Sequence, residues 1–309
     1  MDSLSAPLTQ QEANELASAW LQRLAEGLAV RSLIIKGRSL AHHGLREPRL
    51  SADIDVLVEP RRFDDFCRAI AAAGWRERDI GFLAGRLPSH SKTFVHADWP
   101  TDLDVHAQFP GFLSPPADVF EALWQHREQI LCAHVECMTL DRVGSILVLG
   151  LHSVRSARSQ VRHDRELQRL LRIQLNQTDR SAITDLARRT GCVRTLGPVL
   201  FQLGVHADPG PHEYAPGALE DWRRRTALSR GRLVFWWSIL REARWPEKPV
   251  VIRRAVWPSR DDLLRSRPDV VDTAYGRLRG RVGRLARGIH SSLRASTAAR
   301  RRARDDTRA

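Results

Sequence analysis

The stretch SADIDVLVEP, residues 51–60, constrains the fold most, because two acids stand at the start of an apolar, β-branched run. The run predicts a buried strand that ends before Pro60. Side chains at i and i+2 of a strand point to the same face, so Asp53 and Asp55 are expected to project together, about 6 to 7 Å apart. Two like charges so placed repel each other, and a bound divalent cation would hold both acids ionised.

A second predicted strand, Thr101–Phe109, carries the same arrangement of acids. Asp102, Asp104 and His106 share one of its faces. If the two strands are neighbours, one of these acids joins the first pair. Magnesium prefers carboxylate oxygens, and three carboxylates around two metal ions can activate a hydroxyl nucleophile and neutralise a departing pyrophosphate. The alternative interpretation of each acid pair is turn chemistry or a solvated strand edge.

Periodicity and breaker residues predict the elements around these strands. The two extended segments that flank Asp98-Trp-Pro100 predict a hairpin. The predicted elements are a helix over residues 10–28, a strand over 31–37, a helical turn over 39–44, a strand over 53–58, a helix over 62–74, strands over 92–97 and 101–109, and a single strand over 129–140.

These elements predict an α+β fold, with a mixed sheet and helices first and an α-helical region after it. Strand patterns fade from about Arg142, and helical patterns continue to about residue 240. The chain is expected to divide into an α/β domain over 1–140, an α-helical domain over 141–270 and a basic, arginine-rich tail over 271–309. A chain of 309 residues, 42% of them hydrophobic, has enough apolar material for such cores.

The positive charge is concentrated at the end of the chain. The net charge is +13, and residues 277–309 contain eleven arginines and two aspartates. Such a tail is typical of a solvated extension or, as the alternative, of an arm for nucleic acid or anionic lipid. The rest of the chain is close to neutral.

The four cysteines are too few and too scattered for a disulfide scaffold, so we expect them to be reduced. Cys132 and Cys137 lie in the predicted strand over 129–140, which would hold their thiolates too far apart to share a metal. No run of 18 apolar residues occurs, and the first residues do not resemble a secretory signal. A cytoplasmic protein without a membrane span is therefore expected.

Taken in order, the motifs resemble those of a known family. A glycine after a short strand, a helix, Asp-x-Asp on the next strand and a third acid on a later strand are the pattern of the DNA polymerase beta-like nucleotidyltransferases. Over roughly residues 15–170 the chain more closely resembles the bacterial uncharacterised nucleotidyltransferase family. The matching segments are Ile35-Lys36-Gly37, Ser51–Val58, Phe63–Gly74, Asp104-Val-His106, His152 in LGLHS and the looser Trp257–Leu264.

The resemblance implies roles for the acids. Asp53, Asp55 and Asp104 would be the catalytic and metal-binding residues, and Asp104 would also help to deprotonate the acceptor hydroxyl. Asp102 is the less favoured third acid, because the Asp-x-His motif falls on Asp104 and His106. His106 would either orient Asp104 or lie in a polar rim.

The resemblance also implies a nucleotide-binding segment made of Lys36, Gly37, Arg38 and Ser39. Glycine would let the backbone approach the triphosphate, and Lys36 or Arg38 would neutralise it. The wider superfamily has Gly-Ser at this point, whereas here Arg38 follows Gly37. Ser39 or Arg38 would then replace the usual serine contact.

The implied activity is a magnesium-dependent transfer of a nucleoside monophosphate from an NTP, with two Mg²⁺ ions and release of pyrophosphate. The acceptor would be a hydroxyl or phosphate group of a small molecule, a peptide or a protein, and nucleic acid is less favoured. Two alternatives stay open. One is a non-catalytic nucleotide-binding or regulatory partner of the same fold, and the other is a nucleic-acid-associated protein that acts through its basic tail.

Overall fold

The computed structural model describes residues 8–79, 90–155, 160–210, 214–230, 239–241, 243–260, 263–264 and 270–283. Described residues up to Arg78 and from position 90 to Trp222 belong to one compact unit, and those from Arg223 onward belong to a second. The first unit contains all the residues of the predicted site. Residues 284–309 of the predicted tail lie outside the described part of the chain.

A mixed sheet lies at the centre of the first unit. Its described strands are β1 Ser32–Ile34, β2 Asp53–Val58, β3 Arg76–Glu77, β4 Ser91–His96, β5 Trp99–His106, β6 Arg127–Cys132 and β7 Val135–Leu140. Their order across the sheet is β3-β4-β5-β2-β1-β7-β6. β2 is parallel to β5 and β1 is parallel to β7, whereas the other neighbours are antiparallel.

In the first unit helices pack on this sheet, and helices dominate the described later part of the chain, as the sequence predicts. Their bounds are α1 Gln10–Gly27, α2 Arg38–His42, α3 Phe63–Ala72, α4 Pro116–Gln125, α5 Arg142–Arg155, α6 Gln160–Leu170, α7 Gln177–Arg189, α8 Val193–Gln202, α9 Ala218–Arg230 and α10 Lys248–Val256. None of these described helices has both the length and the apolar character needed to cross a bilayer.

The two faces of β2 belong to different hydrophobic cores. The side chains of Ile54, Val56 and Val58 pack in one core with residues of α1 and α3. Leu57 belongs to the other core, which α4, α5, α7 and α8 help to form. Because alternate side chains of a strand share a face, the acids at positions 53 and 55 project on the side of Leu57.

Most of the predicted elements are confirmed. The structure contains the predicted helices and strands close to their expected bounds, and β4 pairs with β5 as the predicted hairpin. The strand predicted over 31–37 is shorter, since β1 ends at Ile34. Gly37 follows with a φ of 67°, a backbone conformation that L side chains rarely adopt, and the chain turns there into α2.

The single strand predicted over 129–140 is wrong, because β6 and β7 form a hairpin there. Ala133 and His134 make its two-residue turn, with φ values of 44° and 65°. Positive φ at both central residues is typical of a type I′ turn, which Asn-Gly usually marks in a sequence and Ala-His does not. Cys132 and Cys137 consequently lie on neighbouring strands in one small hydrophobic cluster, and the Cys137 thiol donates to the backbone oxygen of Ser18. The prediction that a single strand separates these two cysteines is therefore wrong as well.

Candidate active site

Register between β2 and β5 brings the acids of both strands together. Asp53 is the Cα partner of Asp102, and Asp55 is the Cα partner of Asp104. The two strands are parallel neighbours, so the four side chains leave the same face of the sheet. The condition that the acid-bearing strands are neighbours is thus met.

Asp55 is buried in a network of two basic side chains, with only 5% of its surface exposed. Lys36 Nζ lies 2.5 Å from Asp55 Oδ1, and His106 Nε2 donates to the same oxygen over 3.0 Å. Burial alone would raise the pKa of this carboxyl. The charge of Lys36 and the hydrogen bond from His106 outweigh burial and hold the pKa of Asp55 well below its ordinary value. His106 therefore contacts Asp55 rather than orienting Asp104.

Asp104 has the opposite electrostatic character. Burial and then the negative charge of Asp55 raise the pKa of the Asp104 carboxyl above its ordinary value. Thr93 on β4 donates a hydrogen bond of 2.5 Å to Asp104 Oδ1. A negative charge on Asp104 is thus disfavoured by its surroundings, and a divalent cation bound beside it would favour that charge.

The donor atoms are suited to such a cation. One ligand atom from each of Asp55, Asp104 and His106 lies within 4.8 Å of the others. Asp53 is next to this group on the same strand, and its Oδ1 accepts a hydrogen bond of 2.9 Å from Ser51. Asp102 is held by Arg78, whose Nη2 lies 2.6 Å from its Oδ2. Asp55 and Asp104 could thus hold a divalent ion through carboxylate oxygens, which are ligands that magnesium prefers.

The predicted nucleotide-binding segment divides into two parts. Lys36, Gly37 and Arg38 line a cleft with a volume of about 410 Å³, and Arg38 forms an ion pair with Glu15. Ser39, in contrast, is fully buried, and its hydroxyl lies 3.0 Å from the Ser145 hydroxyl. Among the described residues that line the cleft, Ser39 is absent. Its hydroxyl therefore contacts the Ser145 hydroxyl in the core rather than this cleft.

The cleft lies between α1 and the loop that precedes β2. Asp53 forms part of its wall, whereas Asp55 lies behind Lys36 and, like Asp104, is not among the described lining residues. Arg49 also lines the cleft, and the sequence pattern does not point to it. It is one of several arginines in a polar loop, and charge alone does not distinguish them.

A second polar group, made of His152, His163 and Glu166, is contributed by α5 and α6. One donor atom from each lies within 4.8 Å of the others. Burial, and then the positive charges of Lys36 and Arg155, hold the pKa of His152 well below its ordinary value of 6.5. Glu166 of this group also pairs with Arg46 and Arg49.

Comparison of the sequence with known families gives one match. Residues 4–203 match the family described as uncharacterised nucleotidyltransferase. This range includes every predicted site residue. A search of the curated proteins finds no match to the chain.

Solved structures of nucleotidyltransferases are similar at low identity. The antibiotic-resistance factor ANT(2'')-Ia is 11% identical over 61% of this chain and 97% of its own, with a TM-score of 0.39. An antigenic nucleotidyltransferase-like protein from Paracoccidioides brasiliensis is 11% identical over 66% and 97%, with a TM-score of 0.35. The lincosamide antibiotic adenylyltransferase LnuA, bound to lincomycin, is 14% identical over 56% and 94%, with a TM-score of 0.31. The match to residues 4–203 remains the basis for the family.

Proposed function

The chain belongs to the uncharacterised nucleotidyltransferase family, and we propose that it transfers a nucleoside monophosphate from an NTP to a hydroxyl or phosphate acceptor and releases pyrophosphate. The acceptor belongs to a small molecule, a peptide or a protein. One observation carries this proposal: Asp53 and Asp55 lie in register with the acids of β5, next to the Lys36-Gly37-Arg38 segment at the cleft.

We assign the metal-binding role to Asp53, Asp55 and Asp104. Magnesium, when bound, supplies positive charge that neutralises the phosphate oxygens and makes an acceptor hydroxyl more acidic. His106 orients Asp55 through the hydrogen bond from Nε2. The Thr93 hydroxyl holds Asp104 in the same way from the neighbouring strand.

The remaining steps are assigned to these side chains as part of the same proposal. The acceptor oxygen attacks the α-phosphorus, the bond from that phosphorus to the bridging oxygen breaks, and pyrophosphate leaves. Asp104 accepts the proton of a hydroxyl acceptor. Lys36 and Arg38, at the wall of the cleft, balance the charge of the leaving group, and Gly37 lets the phosphate approach the backbone.

A second candidate is a protein of this fold that binds nucleotide without transferring it. Two observations favour it: the Ser39 hydroxyl is bonded inside the core, and Lys36 is engaged with Asp55. Such a protein would be a nucleotide sensor or a regulatory subunit.

Calorimetric titration with ATP, GTP, CTP and UTP, with and without Mg²⁺, tests the proposal. We expect one NTP to bind in a magnesium-dependent way to the wild type and not to the Asp53→Asn/Asp55→Asn variant. The matched control is Asp102→Asn, which removes a carboxylate that Arg78 already pairs. Absence of NTP binding by the wild type would overturn the proposal.

Transfer of the label from α-³²P-NTP to candidate acceptors then separates the two candidates. Labelled product, lost in the double variant, supports the transferase. Binding of NTP without release of pyrophosphate, whichever class of acceptor is added, supports the sensor instead.

A further inference from the structure

The loop between α2 and β2 is tied to α6 by ion pairs. Arg49 Nη2 lies 2.9 Å from Glu166 Oε1, and Arg46 Nε lies 3.6 Å from the same oxygen. Arg169, one turn further along α6, pairs with Glu47 over 3.0 Å. Glu166 is 8% exposed, so its carboxylate holds the arginines from inside the protein.

The other end of this loop is held from α1. Asn14 Nδ2 donates to the backbone oxygen of Ser51 over 2.8 Å, and the Ser51 hydroxyl donates to Asp53 over 2.9 Å. The loop is therefore restrained on both sides immediately before the first acid of β2. A restrained loop can present a side chain to a ligand in one geometry at small entropic cost.

Arg49 is the side chain that this loop presents to the cleft. It lines the same cleft as Lys36, Arg38 and Asp53. An arginine carries five N–H donors in a planar fork, so a guanidinium tethered through Nη2 to a carboxylate can also donate to phosphate oxygens. The tether determines the direction in which the fork points.

We infer that Arg49 binds the triphosphate of the incoming NTP and that Glu166 on α6 is the residue that positions it. This inference rests on the proposed function, because it takes the cleft as the NTP site. It adds a third cation, from the loop between α2 and β2, to Lys36 and Arg38. It also gives α6 a role in the site although none of its described residues lines the cleft.

Substitution of Arg49 tests the first part. Titrations of the full chain with Mg-ATP, pyrophosphate and AMP compare wild type, Arg49→Gln and Arg49→Lys. We expect Arg49→Gln to weaken ATP and pyrophosphate binding about tenfold and AMP binding less than about twofold, since AMP lacks the β- and γ-phosphates. Arg49→Lys keeps the charge but loses the planar fork, so its affinity for ATP and pyrophosphate is expected to lie between those of the wild type and Arg49→Gln.

Glu166→Gln tests the positioning role. It keeps the shape of the side chain but weakens the tether, and we expect ATP binding to weaken about threefold with AMP binding unchanged. In an Arg49→Gln background the same substitution should have no further effect on ATP, because the positioned group is gone. Arg169→Gln, which releases the same loop at Glu47, is the control and should leave ATP affinity within about twofold.

Three results would overturn the inference. If the wild type binds NTP in a magnesium-dependent way and Arg49→Gln binds it equally well, Arg49 has no such role and the proposed function stands. If Glu166→Gln weakens ATP and AMP alike, or adds to Arg49→Gln, Glu166 has only a structural role. If the wild type binds no NTP, the inference and the proposed function fail together.

Discussion

Lys36 Nζ lies 2.5 Å from Asp55 Oδ1, and both side chains are buried. A cation from the chain itself thus compensates a carboxylate to which we assign a metal-binding role. The same oxygen also accepts a hydrogen bond from His106. Binding of a divalent metal at Asp55 must therefore compete with, or rearrange, this ion pair.

Replacement of Lys36 by methionine should lower the stability of the metal-free protein and increase the stabilisation by Mg²⁺. Removing one partner of a buried pair leaves Asp55 uncompensated, and we expect a loss of about 3 kcal/mol in the free energy of unfolding without metal. Mg²⁺ should then raise the melting temperature more in the variant than in the wild type. Thermal unfolding with and without Mg²⁺ measures both effects. The control is Lys92→Met, which removes an ion pair of 3.6 Å with Asp64. If Mg²⁺ raises the melting temperature of Lys36→Met and of the wild type equally, the prediction is contradicted.

Replacement of Asp104 by asparagine should separate metal binding from stability. Burial and the charge of Asp55 already disfavour a negative charge at this position. We therefore expect the free energy of unfolding to change by less than about 1 kcal/mol, while magnesium-dependent NTP binding weakens at least about tenfold. Urea unfolding and calorimetry test the two expectations. A variant that binds Mg-NTP like the wild type would show that Asp104 is not the third acid.

His152 should make stability depend on pH. Burial, then Lys36, Arg155 and His163, hold its pKa well below 6.5 in the folded chain. Below pH 6.5 the unfolded chain binds a proton that the folded chain does not, so stability falls as pH is lowered from 7 to 5. His152 contributes at most about 1.4 kcal/mol per pH unit to that fall.

The slope that belongs to His152 is measured by difference. Denaturant unfolding of wild type and His152→Gln at pH 7, 6 and 5 should show a shallower pH dependence in the variant. Histidines that do not contact His152 contribute equally to both proteins, so their effect cancels, and the contribution of the adjacent His163 is removed by repeating the comparison in a His163→Gln background. Parallel curves would mean that His152 has a similar pKa in the folded and unfolded chains.

Substitutions in the turn between β6 and β7 should stabilise the protein. Ala133 and His134 both have positive φ, which Asn-Gly adopts at much lower cost. We expect the double substitution Ala133→Asn/His134→Gly to raise the free energy of unfolding by about 1 kcal/mol. Urea unfolding measures the change, with Ala133→Gly/His134→Asn as a composition-matched control that should gain less. A loss of stability in the first variant would indicate a different turn.

Several features of the site could be predicted from the sequence, because they depend only on residues that are neighbours in the chain. The alternation of Asp53 and Asp55 with apolar side chains places both acids on one face of a strand. The turn after β1 needs a residue that tolerates positive φ, and Gly37 supplies it. The hairpin of β6 and β7 was missed because its turn residues are not those that usually mark such a turn.

The sequence by itself thus determined that Asp53 and Asp55 share one face of a strand and that the chain can turn at Gly37, since strand alternation and glycine conformation are local properties. Only the tertiary structure decided that β5 lies beside β2 in register, that Lys36 pairs with Asp55, and that Glu166 holds Arg49 at the cleft. These contacts join segments far apart in the chain. They form because the apolar faces of the sheet and helices must be buried together, and that packing brings the charged side chains into contact.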